Sequence, residues 1–299
     1  MDQIRIVFLG TSAGMPSRSR NVAAVAVVLD GRVLLFDCGE GTQQQLMRAE
    51  QVRSGGIEAI FITHLHGDHL FGLPGLLSSL GLGGRRDPLT VYGPRGLAAY
   101  LKAIPYFGIA YELTVIEIEA GEVRRGNGYR VHAAPVVHHA PCFAFRVDED
   151  ERPGKFDADK ARALGVPPGP LFGALQRGED VDGVRSADVV GPSRPGRSVV
   201  YCTDTRPCES AVMLAHGANV LIHESTYDAT LSAEAKARDH STATEAATIA
   251  RDAEVERLIL THISPRYESS DALVDEARAI FPNTEAASDF AAFEIPRHA

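Results

Sequence analysis

Residues His64-Leu65-His66-Gly67-Asp68-His69 put three imidazoles and one carboxylate into six positions, directly behind an apolar run, Ile57 to Ile62, that predicts a buried strand. Side-chain alternation at the end of a strand sets His64 and His66 on one side. Gly67 is expected to let the chain turn so that Asp68 and His69 face a second point nearby. The spacing therefore suggests two adjacent metal ions. Imidazole nitrogen with some carboxylate suits zinc, with iron or manganese as weaker options. A polar loop of merely solvated histidines would not concentrate ligand types so densely behind a strand.

Other strand ends supply further ligands. Ala134 to His139 closes one apolar segment with His138 and His139, Tyr201 to Thr205 closes another with Asp204, and Leu260 to Ser264 closes a third with His262. Each is a weak signal alone, but a donor at the end of a buried strand is held rigidly, as a preorganised metal cluster requires. With the first cluster they make a set of five histidines and two aspartates.

Strands are expected at Ile4–Leu9, Val22–Leu29, Val33–Phe36, Leu89–Tyr92, Leu113–Ile118, Tyr129–Val136 and Phe143–Val147 in the first half. In the second half they fall at Val199–Thr203, Val220–His223, Leu258–Thr261 and Phe290–Ile295. Helices are expected near Thr42–Glu50, Leu70–Leu80, Pro94–Ala103, Cys208–His216, Thr242–Asp252 and Ser270–Ile280. This is an α/β chain of two comparable halves, compatible with two face-to-face sheets and helices outside. From about Asp148 to Gly196 the rhythm breaks into Pro-Gly segments around short helical pieces at Asp157–Leu164 and Leu171–Gln176, which predicts a folded, protruding arm.

Composition narrows the options. A chain of 299 residues that is 44% hydrophobic and 23% charged can bury one large core. No run of about 18 apolar residues is available to span a membrane. The N-terminus enters a strand without a signal-peptide pattern, so a cytoplasmic protein is expected. Cys38, Cys142, Cys202 and Cys208 lack C-x-x-C spacing and predict neither a thiolate zinc site nor a disulfide framework. A net charge of -9 argues against indiscriminate nucleic-acid binding. An RNA substrate remains open, because screening over about 8 Å lets local charge dominate the average.

The H-x-H-x-D-H pattern of His64, His66, Asp68 and His69 resembles that of the metallo-β-lactamase superfamily. That resemblance implies a four-layer αββα sandwich. It also implies that one zinc takes His64, His66 and His138, that the other takes Asp68, His69 and His262, and that Asp204 bridges them. His139 competes with His138; the spacing to the following strand favours His138. Longer segments are similar to the ribonuclease Z family of tRNA 3' endonucleases: Leu9 to Pro16 with Arg20-Asn21, Phe36 to Gln43, Val166 to Phe172, His223 to Thr226, Asp239 to Thr242, and Thr261 to Tyr267.

The family resemblance implies one domain over residues 1–299 with a tRNA-gripping arm inserted at about 148–196, two Zn2+ per subunit or other divalent ions, and a homodimer. It implies removal of the 3' trailer from precursor tRNA, leaving a 3'-hydroxyl on the tRNA and a 5'-phosphate on the trailer. Asp68 is then the candidate general base, His240 the general acid and Glu224 its orienting partner. Helix capping by Asp239, Ser241 or Thr242 would instead leave His240 incidental. Arg18, Arg20, Asn21, Arg266, Gly169 and Pro170 are implied to contact RNA, whereas Lys155, Lys160, Arg162 and Arg177 in the arm are diluted by neighbouring acids. Two rivals are a phosphodiesterase of the same fold acting on small or cyclic nucleotides and a non-catalytic RNA-binding subunit. The latter predicts missing ligands.

Overall fold

The computed structural model describes residues 3–104 and 108–297. It forms two compact units, Met1–Val147 with Ser198–Ala299, and Asp148–Arg197. The strands in chain order are β1 (Ile4–Gly10), β2 (Ala24–Leu29), β3 (Arg32–Phe36), β4 (Ile57–Phe61), β5 (Leu89–Gly93), β6 (Leu113–Glu117), β7 (Gly121–Gly126), β8 (Tyr129–Val136), β9 (Cys142–Glu149), β10 (Ser198–Cys202), β11 (Val220–Glu224), β12 (Arg257–Thr261), β13 (Thr284–Ala286) and β14 (Ala292–Glu294). The α-helices are α1 (Thr42–Arg48), α2 (Gly67–Leu70), α3 (Leu73–Leu82), α4 (Leu97–Lys102), α5 (Ala158–Ala163), α6 (Pro170–Gln176), α7 (Ser186–Val189), α8 (Glu209–Ala215), α9 (Ser232–Ala237), α10 (Ala243–Asp252) and α11 (Asp271–Arg278).

In the first unit the strands form two sheets, ordered β14-β1-β2-β3-β4-β5-β6 and β13-β12-β11-β10-β9-β8-β7. Residues on β1 show why its sequence is apolar from Ile6 to Leu9. Ile6 and Phe8 enter the core between the sheets, while Val7 and Leu9 enter the core under the outer helices, so both faces are buried. Between the sheets, Phe36 and Phe61 stack with centroids 5.0 Å apart, and Phe145 from the second sheet lies 5.4 Å from Phe61. Leu46, Leu73, Leu77 and Leu97 on α1, α3 and α4 cover the first sheet. Ala211, Ala247, Ile249 and Leu273 on α8, α10 and α11 cover the second. The layers run αββα.

The expected helix over Leu70–Leu80 is two helices. Pro74 lies in the first turn of α3, where it lacks an N–H to continue the ladder of α2, and Gly72 between them passes so close to Gly39 that a Cβ would lie 2.0 Å from its carbonyl oxygen. Val22 forms only an isolated bridge with Ser12, and β2 starts at Ala24.

The second unit has a small core of Ala161, Val166, Leu175, Val184 and Val189 beneath α5, α6 and α7. Its two chain ends meet where the Glu149 N–H donates to the Arg197 carbonyl at 2.8 Å. The buried Arg197 guanidinium grips both oxygens of Glu149, at 2.9 and 3.0 Å.

Candidate metal centre

The ligand types gather where strands end. After β4 the chain stays extended to His66, which caps α2, and Asp68 and His69 occupy that helix's first turn. Gly67 is not left-handed. Its absent side chain makes room for the Phe71 ring, which a Cβ would meet at 2.4 Å, so the turn expected at this glycine is made by the start of α2. His138 follows β8, while Asp204, Glu224 and His262 stand at the carboxyl ends of the parallel strands β10, β11 and β12. Asp37, Asp204, Asp239 and His262 all have left-handed backbones, with φ of 58°, 48°, 55° and 52°, a conformation non-glycine residues hold only where their surroundings impose it.

Among the described residues two groups of four donors result, each with its atoms within 4.8 Å of one another, His64, His66, His138 and Asp204, and Asp68, His69, Asp204 and His262, while Glu224, His240 and His262 make a smaller third. Asp204 belongs to both groups of four. Its Oδ2 lies 3.6 Å from His64 Nε2, and its Oδ1 lies 3.2 Å from both His69 Nε2 and His262 Nε2. Within the groups, His64 Nε2 is 2.8 Å from His66 Nδ1, His138 Nε2 is 3.4 Å from the same atom, and Asp68 Oδ2 is 3.3 Å from His69 Nε2. His139 stands outside both groups, its ring 4.1 Å from that of His138.

The outward nitrogens test whether these donors fit metal. His69 Nδ1–H donates to Asp37 at 2.7 Å, His138 Nδ1–H to the Asp239 carbonyl at 3.1 Å, and His262 Nδ1–H to Thr226 Oγ1 at 3.0 Å. His64 Nδ1–H meets Thr63 Oγ1 at 3.0 Å, and that hydroxyl donates to Asp37 at 3.0 Å. Each of these rings thus has its tautomer fixed from outside, leaving Nε2 lone pairs converging inward as metal-ligating histidines do. Burial and neighbouring imidazoles push His64 well below its ordinary pKa, which keeps it neutral. The set has the donor chemistry that suits a divalent metal ion.

Asp37 supports both groups and has no exposed surface. In the sequence Asp37 stands inside the Phe36 to Gln43 segment with no separate mark; the usable signal is an aspartate directly after the apolar run Val33–Phe36, the same signal that marks Asp204.

Beside these donors, Glu224 Oε1 accepts from His240 Nδ1–H at 2.9 Å. Burial works against protonation of His240, but the charge of Glu224 and this hydrogen bond push its pKa up to about 9. The cap of α10 is Thr242, in a reciprocal capping box with Glu245, so helix capping does not account for His240. His240 also lines a cavity of about 390 Å³ together with Asp68, Met15, Tyr227, Arg238 and Arg266.

The other implied RNA contacts are distributed differently. Arg18 is exposed. The Arg20 guanidinium is buried and donates to the Tyr267 carbonyl at 2.8 Å, and the Asn21 amide donates to the Glu40 carbonyl at 2.8 Å. Arg266 pairs with Glu234 at 3.1 Å and lies over the Tyr227 ring. Gly169 and Pro170 are in the second unit, at the start of α6.

A Beta-lactamase superfamily domain matches residues 32–159 and 176–263. Ribonuclease Z of Acaryochloris marina is 47% identical over 309 residues, covering 98% of both chains. Ribonuclease Z of Methanosarcina acetivorans is 42% identical over 301 residues, again covering 98% of both. The crystal structure of human tRNase Z, short form, is 28% identical, covers 98% of this chain and 99% of that one, and superposes with a TM-score of 0.71. By its layered fold and by identity along nearly its whole length, the chain belongs to the ribonuclease Z family of the β-lactamase superfamily.

Proposed function

We infer that the chain is a tRNA 3'-processing endonuclease that cuts the trailer from precursor tRNA, and that it works with two zinc ions. The observation that carries this reading is the shared Asp204 between two donor groups, with the His240–Glu224 pair in the same cleft.

His64, His66 and His138 would hold one ion, Asp68, His69 and His262 the other, and Asp204 would contribute one oxygen to each. When bound, divalent ions supply Lewis acidity for the phosphodiester and water that ionises near neutral pH. The protein's own part is proton traffic and alignment. The Asp68 carboxylate accepts the proton of the attacking water, while its Oδ2 is steadied by the Gly14 N–H at 2.8 Å. On the leaving side, the P–O3' bond breaks, its electron pair stays on the 3' oxygen, and His240 Nε2–H delivers the proton. Glu224 fixes the Nδ1 side and favours the charged ring.

The reading extends to the second unit as the tRNA-gripping arm. Arg162 and Arg177 there are paired with Asp159 and Glu179, and the backbone at Gly169, φ 140° with open space about it, is shaped to meet RNA together with Lys155 and Lys160. It extends also to a homodimer, supported by Met47 on α1 and Leu82 on α3, large apolar side chains that stand exposed on neighbouring helices. Four free cysteines fit a reducing, cytoplasmic setting. Among the described residues no helix is long and apolar enough to cross a membrane.

The test is incubation of the zinc-loaded protein with a defined precursor tRNA, followed by mapping of the product ends. Asp68→Ala is expected to abolish cleavage. A wild-type rate in that variant refutes the assignment of Asp68.

A further inference from the structure

His240 sits on a turn, residues 239–242 between α9 and α10, that is tied down residue by residue. The Asp239 carbonyl receives His138 Nδ1–H, the His240 N–H donates to the Ala235 carbonyl at 2.9 Å, Ser241 Oγ donates to the Thr205 carbonyl, and Thr242 caps α10. The remaining tie is a charged one. Arg206 Nη1 donates to the His240 carbonyl at 2.6 Å, and its Nη2 donates to Glu245 Oε1 at 2.6 Å. Arg206 is itself fixed at the main chain, where its N–H donates to the Val137 carbonyl at 2.8 Å, beside His138. Glu245 is fixed by the capping box.

We propose that Arg206 is a positioning residue for the reaction: its guanidinium holds the turn so that the His240 imidazole stays between Glu224 and the departing 3' oxygen. This rests on the reading of His240 as proton donor. The physical case has two parts. A half-buried guanidinium makes charge-assisted bonds stronger than neutral ones, and its planar fork serves a carbonyl and a carboxylate at once, as an ammonium cannot. The turn also begins at the left-handed Asp239, a conformation that persists only where contacts over-determine it. Without Arg206 the carbonyl of His240 loses its fixed partner, and the imidazole loses its aim.

The experiment compares two leaving groups. A ribose 3' oxygen needs a proton as it departs, whereas p-nitrophenolate is stable as an anion. Zinc-loaded wild type, His240→Ala, Arg206→Ala and Arg206→Lys are assayed for kcat on precursor tRNA and on bis(p-nitrophenyl) phosphate, with metal content measured for each. The ratio of the two kcat values is expected to fall in His240→Ala. It should fall about tenfold to a hundredfold in Arg206→Ala, part of the span general acids contribute, and less in Arg206→Lys, at unchanged metal content. If the ratio falls in His240→Ala but holds in both Arg206 variants, the role of Arg206 is refuted and His240 stands. If it holds in His240→Ala, the proton-donor reading itself fails. Proportional loss on both substrates in the Arg206 variants, or loss of metal, makes Arg206 structural and overturns the proposal. Arg206→Lys decides by the same ratio where the alanine variant does not fold.

Discussion

Glu224→Gln isolates the charge that keeps His240 protonated. Glutamine can keep the acceptor at Oε1, which serves both His240 Nδ1–H and the Thr205 N–H, and its new amide can donate to Thr226 Oγ1, so geometry is largely preserved. The charge is lost. The His240 pKa of about 9 then falls toward its ordinary value of about 6.5, with burial pulling it down and the charge of Asp204 opposing burial; a full return to about 6.5 is worth about 3 kcal/mol. At about pH 8 the protonated fraction drops from about 0.9 to about 0.03, a loss of about thirtyfold in kcat, while at about pH 6 the two enzymes should differ by less than about twofold. The assay is a pH profile of kcat on precursor tRNA, with metal content as control. The wild-type basic limb should bend near pH 9 and that of the variant more than two units lower. A stability arm follows with its own sign. A histidine raised by folding adds stability that is complete below about pH 6.5 and disappears as pH climbs through about 9, so the gap in melting temperature between the two proteins should close over that window. Coincident basic limbs in the two proteins would refute the reasoning.

Three further outcomes are expected. Asp37→Asn tolerates the left-handed backbone but replaces an acceptor oxygen with an NH2 facing Thr63 or His69, and zinc affinity in a competition titration should fall about tenfold to a hundredfold; unchanged affinity would show that the outward bonds do not tune the ligands. Chelation should remove all cleavage and zinc should restore it, with about two ions per subunit at saturation; a plateau at one ion removes the dinuclear reading. Replacing residues 150–195 with a short linker is feasible because Glu149 and Arg197 are already hydrogen-bonded neighbours. It should cripple cleavage of precursor tRNA while sparing bis(p-nitrophenyl) phosphate, and equal loss on both substrates counts against a recognition role.

The parts of the fold visible in the sequence are those with two buried faces. Apolar runs such as Leu258–Thr261 and Val220–His223 predict strands within a residue of β12 and β11, because central parallel strands can hardly be anything else. β7 was invisible. Gly121-Glu122-Val123-Arg124-Arg125-Gly126 is a polar edge strand whose existence depends on pairing with β8, and β13 is three residues held against β12. α9, with small and charged residues, carries no long periodic stripe. At the site, the donors were legible because His138, Asp204 and His262 follow apolar strands and the other four lie in one dense run soon after β4. Arg206 was not, since a lone arginine after an aspartate says nothing of a carbonyl 34 residues away. The sequence equally could not say that Arg20 turns inward to Tyr267.

The four left-handed corners at Asp37, Asp204, Asp239 and His262 have a consequence for how such an enzyme can vary. Glycine relaxes that conformation at no steric cost, so selection for a sturdier chain would push each corner toward glycine. At three of them the replacement would remove a tie that holds the centre together, a donor at Asp204 or His262 and the outer anchor of the donors at Asp37, whereas at Asp239 the carbonyl that receives His138 Nδ1–H would remain. Sturdiness and reactivity therefore compete at Asp37, Asp204 and His262, and the surplus stability that tolerates the bent corners comes from the apolar layers that carry them.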